Sequence, residues 1–253
     1  MPAIISAACG CDIGKIRKNN EDNFYFDERC LAENNNGLKH TVTMERSLEK
    51  ECCVAIFDGM GGEQFGEIAS FAAADGMRGI VEELSRYVIQ EKKYLTDMCQ
   101  KLNESVLVKK RELCTEHMGT TMVAACFSHG YVYICNLGDS RAYRLRGEVF
   151  QQLSEDHVLR EERLPKKKAP LTQYLGIPSD EYLLEPYIVK GKLQAGDQYL
   201  LCSDGLTDML TNLEIADILL NADTAEASAR RLLDAALDAG GRDNITVIVC
   251  SIL

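Results

Sequence analysis

The sequence predicts an α+β fold in which antiparallel sheets form a layered sandwich covered by pairs of helices. Three observations carry that prediction. Strand-like and helix-like stretches come in blocks (strands, two helices, strands, two helices, strand), and too few helices alternate with strands for a doubly wound parallel sheet. The middle block is a set of short apolar runs separated by turn signals, the pattern of antiparallel strands. The 253 residues, 46% hydrophobic and 26% charged, suffice for one large domain spanning 1–253, with no internal repeat and no linker.

Taken in order, residues 3–14 read as a first buried strand rather than an export signal, because no basic residue precedes the apolar start. Phe24-Tyr25-Phe26 reads as a second strand, and residues 27–50 as a loop or exposed hairpin turning at Asn34-Asn35-Asn36-Gly37. Val54-Ala55-Ile56-Phe57 forms a buried strand that ends by throwing the Asp58 carboxylate out at the sheet's end, before the turn Gly59-Met60-Gly61-Gly62. Glu63 then opens a helix over roughly 63–90, and Leu95, Met98, Cys99, Leu102, Val106 and Leu113 recur at helical spacing in a second over 94–116. Strands over 120–127, 131–137, 142–145 and 149–153 read as one antiparallel meander. Residues 154–180 are irregular, with Pro165, Pro170, Pro178 and the run Lys166-Lys167-Lys168. Strands over 183–189 and 198–202 follow, then helices over 211–220 and 224–239. Thr211 with Glu214 marks a capping box, and Gly240 ends the last helix. Residues 245–253 are apolar enough for a central strand.

The net charge of -11 argues against nucleic acid or an anionic membrane as a general partner, and no run approaches the length of a membrane span. Eleven cysteines, an odd number, lack paired zinc-finger spacing, and Cys126, Cys135, Cys202 and Cys250 sit inside apolar runs. They read as reduced core thiols of a cytoplasmic protein.

Acidic residues recur beside turn residues in five places: Glu21-Asp22-Asn23, Asp58-Gly59, Gly138-Asp139-Ser140, Ser203-Asp204-Gly205 and Arg242-Asp243-Asn244. Any one alone is an ordinary turn aspartate. Five joined to would-be core strands place carboxylates at the rim of the core, and if clustered they would repel unless a cation neutralised them. An all-oxygen set favours Mg²⁺ or Mn²⁺ over zinc, and such ions polarise a phosphoryl oxygen and activate water. Arg17, five residues before Asp22, supplies a planar fork for a phosphate monoester.

Seven motifs, in register over most of the chain, carry a resemblance. They are Gly14-x-x-Arg17-x-x-Asn20-Glu21-Asp22, Phe57-Asp58-Gly59-Met60-Gly61-Gly62, Met118-Gly119-Thr120-Thr121, Asn136-Leu137-Gly138-Asp139-Ser140-Arg141, Leu153-Ser154-x-Asp156-His157, Leu200-x-Cys202-Ser203-Asp204-Gly205-Leu206 and Gly241-Arg242-Asp243-Asn244-Ile245-Thr246. The chain resembles bacterial metal-dependent protein phosphatases of type 2C. That resemblance implies a four-layer αββα sandwich, two antiparallel β-sheets flanked by helix pairs, with metals in a cleft at one end. It implies that Asp58 bridges two Mn²⁺ or Mg²⁺ ions, that Gly59 offers its carbonyl, and that Asp204 and Asp243 complete the second ion's shell. Glu21 and Asp22 would act largely through bound water, Asp139 with Asp204 would hold a third, weaker ion, and Arg17 would bind phosphate. A metal-bridging hydroxide would then hydrolyse phosphoserine and phosphothreonine without a phosphoenzyme. The implied partners are phosphorylated proteins and a Ser/Thr kinase, the implied state a monomer. A catalytically silent module of the same fold, and a phosphatase dedicated to one regulator, are the alternatives.

The chain departs from the family pattern twice. Met60 stands where many eukaryotic members have a histidine proposed as general acid, so metal-bound water becomes the default proton donor; His157 reads as structural. The flap segment at about 154–180 is shortened, which puts the usual flap contacts and the third ion in doubt. Lys166–Lys168 read as a solvated run or as an attractor for an acidic partner.

Overall fold

A computed structural model describes residues 3–60, 65–84, 91–159, 169–178 and 183–253. The expected features at Gly61, Gly62, Glu63, Pro165 and Lys166–Lys168 lie outside them. In chain order the elements are β1 (Ile4–Asp12), β2 (Asp22–Tyr25), β3 (Val42–Ser47), β4 (Cys52–Met60), α1 (Gly66–Leu84), α2 (Glu91–Glu112), β5 (Gly119–Thr120), β6 (Met122–Ser128), β7 (Tyr131–Leu137), β8 (Arg141–Arg146) and β9 (Val149–Gln152). They continue with β10 (Tyr187–Lys192), β11 (Gln198–Cys202), α3 (Asp204–Thr207), α4 (Asn212–Leu220), α5 (Ala225–Asp238) and β12 (Ile245–Ile252).

One sheet has the order β3-β1-β12-β11-β8-β9, the other β10-β7-β6-β4-β2 with β5 beside β4, and every pairing is antiparallel. Residue alternation decides the layering. Val54 and Ile56 of β4 pack with Ile5, Phe127, Leu201 and Ile248 between the sheets. Their neighbours Ala55 and Phe57 face Met77 of α1 and Met98 and Leu102 of α2. On the far side, Leu200, Val247 and Val249 pack against Ile215 of α4 and Leu232 of α5. The fold is therefore the expected αββα sandwich. β12, apolar on both faces, sits between β1 and β11 as a central strand requires.

The capping box forms: Thr211 accepts from the Glu214 N–H, and Glu214 accepts from the Thr211 N–H. Gly240, at φ 133°, ends α5, with its N–H bonded to the Leu237 carbonyl and that of Gly241 to Ala236. All eleven cysteines are free thiols, and Cys126, Cys135, Cys202 and Cys250 are buried.

Several expectations are corrected. In the region expected as a loop or exposed hairpin, β3 is an edge strand paired to β1, with Met44 buried between the exposed Thr43 and Glu45. The meander is split, because β6 and β7 join one sheet while β8 and β9 join the other. The first of its strands breaks at Thr121 into β5 and β6. The strand expected over 183–189 starts only at Tyr187, after Pro186, which has no N–H to give a ladder. The turn α3 after Ser203 was not expected.

Candidate metal and phosphate site

β4 does not end at Asp58. It runs on through Gly59 and Met60, which pair with Thr120 and Gly119. Asp58 thus lies inside the strand, directly opposite Asp22 of β2. Cross-strand partners share a face. Alternation from Ile56 and Phe24 places both carboxylates on the inter-sheet side, at the end of the apolar seam. Two like charges so opposed destabilise a sheet unless cations or donors answer them.

The other sheet delivers donors and further carboxylates to the same end. Asp22 is buried, and its Oδ2 accepts hydrogen bonds from Ser203 Oγ and Thr246 Oγ1, each at 2.7 Å. Arg17 Nη2 donates to Asp243 Oδ2 at 2.6 Å. Burial works against the Arg17 cation, but Asp243, Glu21 and Asp58 together raise its pKa above the usual value. Burial lifts the Glu21 carboxyl, Glu67 lifts it further, and Arg17 partly offsets both. Glu67, in the first turn of α1, was not singled out from sequence; its place beside Glu21 follows from the packing of α1 on β4 and β2.

Asn244 ties this end together. Its Oδ1 accepts from the Glu21 N–H at 2.8 Å, and its Nδ2 donates to the carbonyls of Ile13 and Asn19 at 2.9 and 3.0 Å. The loop bearing Arg17 is thereby held against the strand that follows Asp243. Asp204 is buried beside Ser203 at the start of α3. Bare backbones allow these approaches. A Cβ on Gly59 would overlap the carbonyls of Gly66 and Glu21, and one on Gly205 would overlap that of Asn244.

Asp139 follows Gly138, whose φ is 101°. The turn is joined to β4 through Thr121, which accepts from the Asp58 N–H at 3.1 Å and contacts Ser140 Oγ at 2.7 Å. His157 supports the same turn: the Gly138 N–H donates to its Nδ1 at 3.2 Å, and burial lowers its pKa.

The eight candidates (Arg17, Glu21, Asp22, Asp58, Gly59, Asp139, Asp204 and Asp243) therefore gather at one end of the sandwich. Apart from Arg17, they offer only oxygen, the chemistry that Mg²⁺ and Mn²⁺ take. Among the described residues, no three His, Cys, Asp or Glu side chains close into one ligand group. Asp243 is engaged by Arg17 and Asp22 by hydroxyls. Fit is by donor type and by the face-to-face carboxylates of Asp22 and Asp58.

An αββα sandwich ending in opposed carboxylates beside an arginine points to the class of metal-dependent phosphohydrolases. The protein phosphatase 2C family model matches residues 41–239, and the chain belongs to that metal-dependent family. It is 34% identical over 250 residues to a serine/threonine phosphatase Stp of Listeria innocua serovar 6a, covering 94% of this chain and 92% of the relative. Against a serine/threonine protein phosphatase PstP of Mycobacterium tuberculosis it is 29% identical, covering 99% of this chain and 45% of the relative. Among solved structures, a PstP catalytic domain in complex with two manganese ions superimposes at a TM-score of 0.78, with 28% identity and 99% of each chain covered. PppA of Pseudomonas aeruginosa, described as a key regulatory component of T6SS, gives 0.78, with 26% identity and coverage of 99% of this chain and 100% of that one. Nothing in these likenesses favours the silent-module alternative. Among the described residues, no helix is long and apolar enough to cross a membrane.

Proposed function

We propose that this protein phosphatase hydrolyses phosphoserine and phosphothreonine in cytoplasmic phosphoproteins, opposing a Ser/Thr kinase, and that residues 1–253 act as a single catalytic domain. The observation that carries the reading is the register of Asp22 against Asp58, two carboxylates face to face beside Arg17. The names of the relatives support the substrate class.

In this reading Asp58, the Gly59 carbonyl, Asp204 and Asp243 would hold two Mn²⁺ or Mg²⁺ ions, Glu21 and Asp22 would act through bound water, and Asp139 with Asp204 would take a third. The ions supply Lewis acidity, which acidifies water and neutralises phosphoryl charge. Arg17 grips two phosphate oxygens and orients phosphorus for in-line attack. Its contact with Asp243 fixes where that fork stands. The pinned loop of Asn244 keeps Arg17 and Glu21 at one distance from β12. Water oxygen bonds to phosphorus, the P–O bond to the seryl or threonyl oxygen breaks, and that oxygen leaves with a proton.

The test is hydrolysis of phosphoserine, phosphothreonine and phosphotyrosine peptides by chelator-stripped protein. Release of phosphate from the first two only after Mn²⁺ is restored, and its loss in Asp204→Asn, is the expected result. Metal-independent release, or full activity in Asp204→Asn, contradicts the reading.

A further inference from the structure

The inter-sheet seam is apolar along most of its length and changes character at one end. Phe24, Leu201 and Ile248 sit in it. Two residues further toward that end, on the same face of each strand line, stand Asp22, Ser203 and Thr246, all nearly or fully buried. Asp22 comes from one sheet and the two hydroxyls from the other. Both donate to the same oxygen, Oδ2, at 2.7 Å. The hydroxyls are themselves ordered: the Thr246 N–H donates to Ser203 Oγ at 3.0 Å, and Thr246 Oγ1 lies 3.2 Å from the buried Cys11 Sγ.

We propose that Ser203 and Thr246 are positioning residues for the phosphatase reaction, fixing the Asp22 carboxylate from across the sandwich. Two short charge-assisted bonds to one oxygen lock the rotamer of a carboxylate whose burial is otherwise unfavourable. They also join the strand ends that carry the remaining acids, since Ser203 adjoins Asp204 and Thr246 lies three residues past Asp243. The Asp22 anchor thereby sets the spacing between the Asp58 side and the Asp204–Asp243 side. Neither hydroxyl touches cation or substrate in this role. The inference rests on the site reading given under Proposed function and adds to it two groups that act through Asp22.

The experiment compares wild type with Ser203→Ala, Thr246→Val and the hydroxyl-keeping Thr246→Ser. Three quantities are measured: calorimetric Mn²⁺ affinity of chelator-stripped protein, thermal midpoint without metal, and kcat and KM on a phosphothreonine peptide. Ser203→Ala and Thr246→Val should each weaken Mn²⁺ binding or lower kcat by about 10–100-fold, the usual effect of removing a group that orients a ligand. KM should stay within about twofold, and Thr246→Ser should restore both values. A lower thermal midpoint with unchanged Mn²⁺ affinity and kcat would show that the hydroxyls only pack the sheets, and would overturn the proposal. If Thr246→Val does not fold, Ser203→Ala decides. Asp58→Asn is carried in parallel: full activity there overturns the site reading itself. Loss there with wild-type behaviour in the hydroxyl variants overturns this inference alone.

Discussion

Arg17 Nη2 stands 2.6 Å from Asp243 Oδ2, so the residue assigned to grip phosphate also leans on a carboxylate assigned to metal. The contact joins positions 226 residues apart and fixes the arginine's fork at the rim of the sandwich. Arg17→Ala removes the phosphate grip while every carboxylate remains. KM for a phosphopeptide should rise about 10–100-fold, as loss of charged hydrogen bonds worth about 1.5–3 kcal/mol requires. Mn²⁺ affinity should change little. Equal loss of both would contradict the separation of roles.

Asn244→Ala breaks three bonds at once, leaving the Glu21 N–H and the Ile13 and Asn19 carbonyls to find other partners. We expect destabilisation of about 2–4 kcal/mol by denaturant unfolding. KM should rise too, because the freed loop carries Arg17. A stable variant with unchanged KM would show that the loop is held by other contacts.

Gly59→Ala places a Cβ against the carbonyls of Gly66 and Glu21, both backbone atoms with no cheap way to move. The cost should be at least about 2 kcal/mol, measured by chemical unfolding, with loss of Mn²⁺-dependent activity. Wild-type stability would mean that α1 and β2 yield easily.

Far from the site, Asp197 accepts from Arg146 at 2.6 and 2.7 Å, from the Gln194 N–H and from the Tyr199 hydroxyl, with its side chain fully buried. Burial would raise its pKa, but these donors, Arg146 foremost, bring it below the usual value. A depressed carboxylate contributes stability above its unfolded pKa of about 3.9, and that contribution fades as pH falls through the lower folded value. Asp197→Asn should therefore cost about 3 kcal/mol at pH 7, with the gap to wild type narrowing below about pH 4. Unfolding curves at pH 7 and pH 3 check this; a constant gap would contradict it.

Layer order, helix pairs and the acidic clusters were legible because each depends on local pattern: apolar alternation, helical spacing, and carboxylates set beside turn residues. What was not legible depends on partners distant in sequence. β3 is recognisable only as an edge added to β1, and the split of β6–β7 from β8–β9 depends on which sheet each hairpin finds. The continuation of β4 through Met60 needs β5 beside it. Ser203, Thr246 and Asn244 stood inside motifs beside the acids, yet nothing local indicated that they bond to Asp22 or Glu21, some 180–225 residues away. Glu67 carried no signal of its own until α1 packed over Glu21.

The central proposal is that Asp58 would hold the ions on which hydrolysis depends. Asp58→Asn keeps the size and shape of the side chain and removes its charge. Mn²⁺-dependent hydrolysis of a phosphothreonine peptide, measured at saturating Mn²⁺ on folded protein, tests the claim most directly. The expected result is a fall in kcat of about a thousandfold or more, on the order of 4 kcal/mol of transition-state stabilisation. Activity within about tenfold of wild type would contradict it.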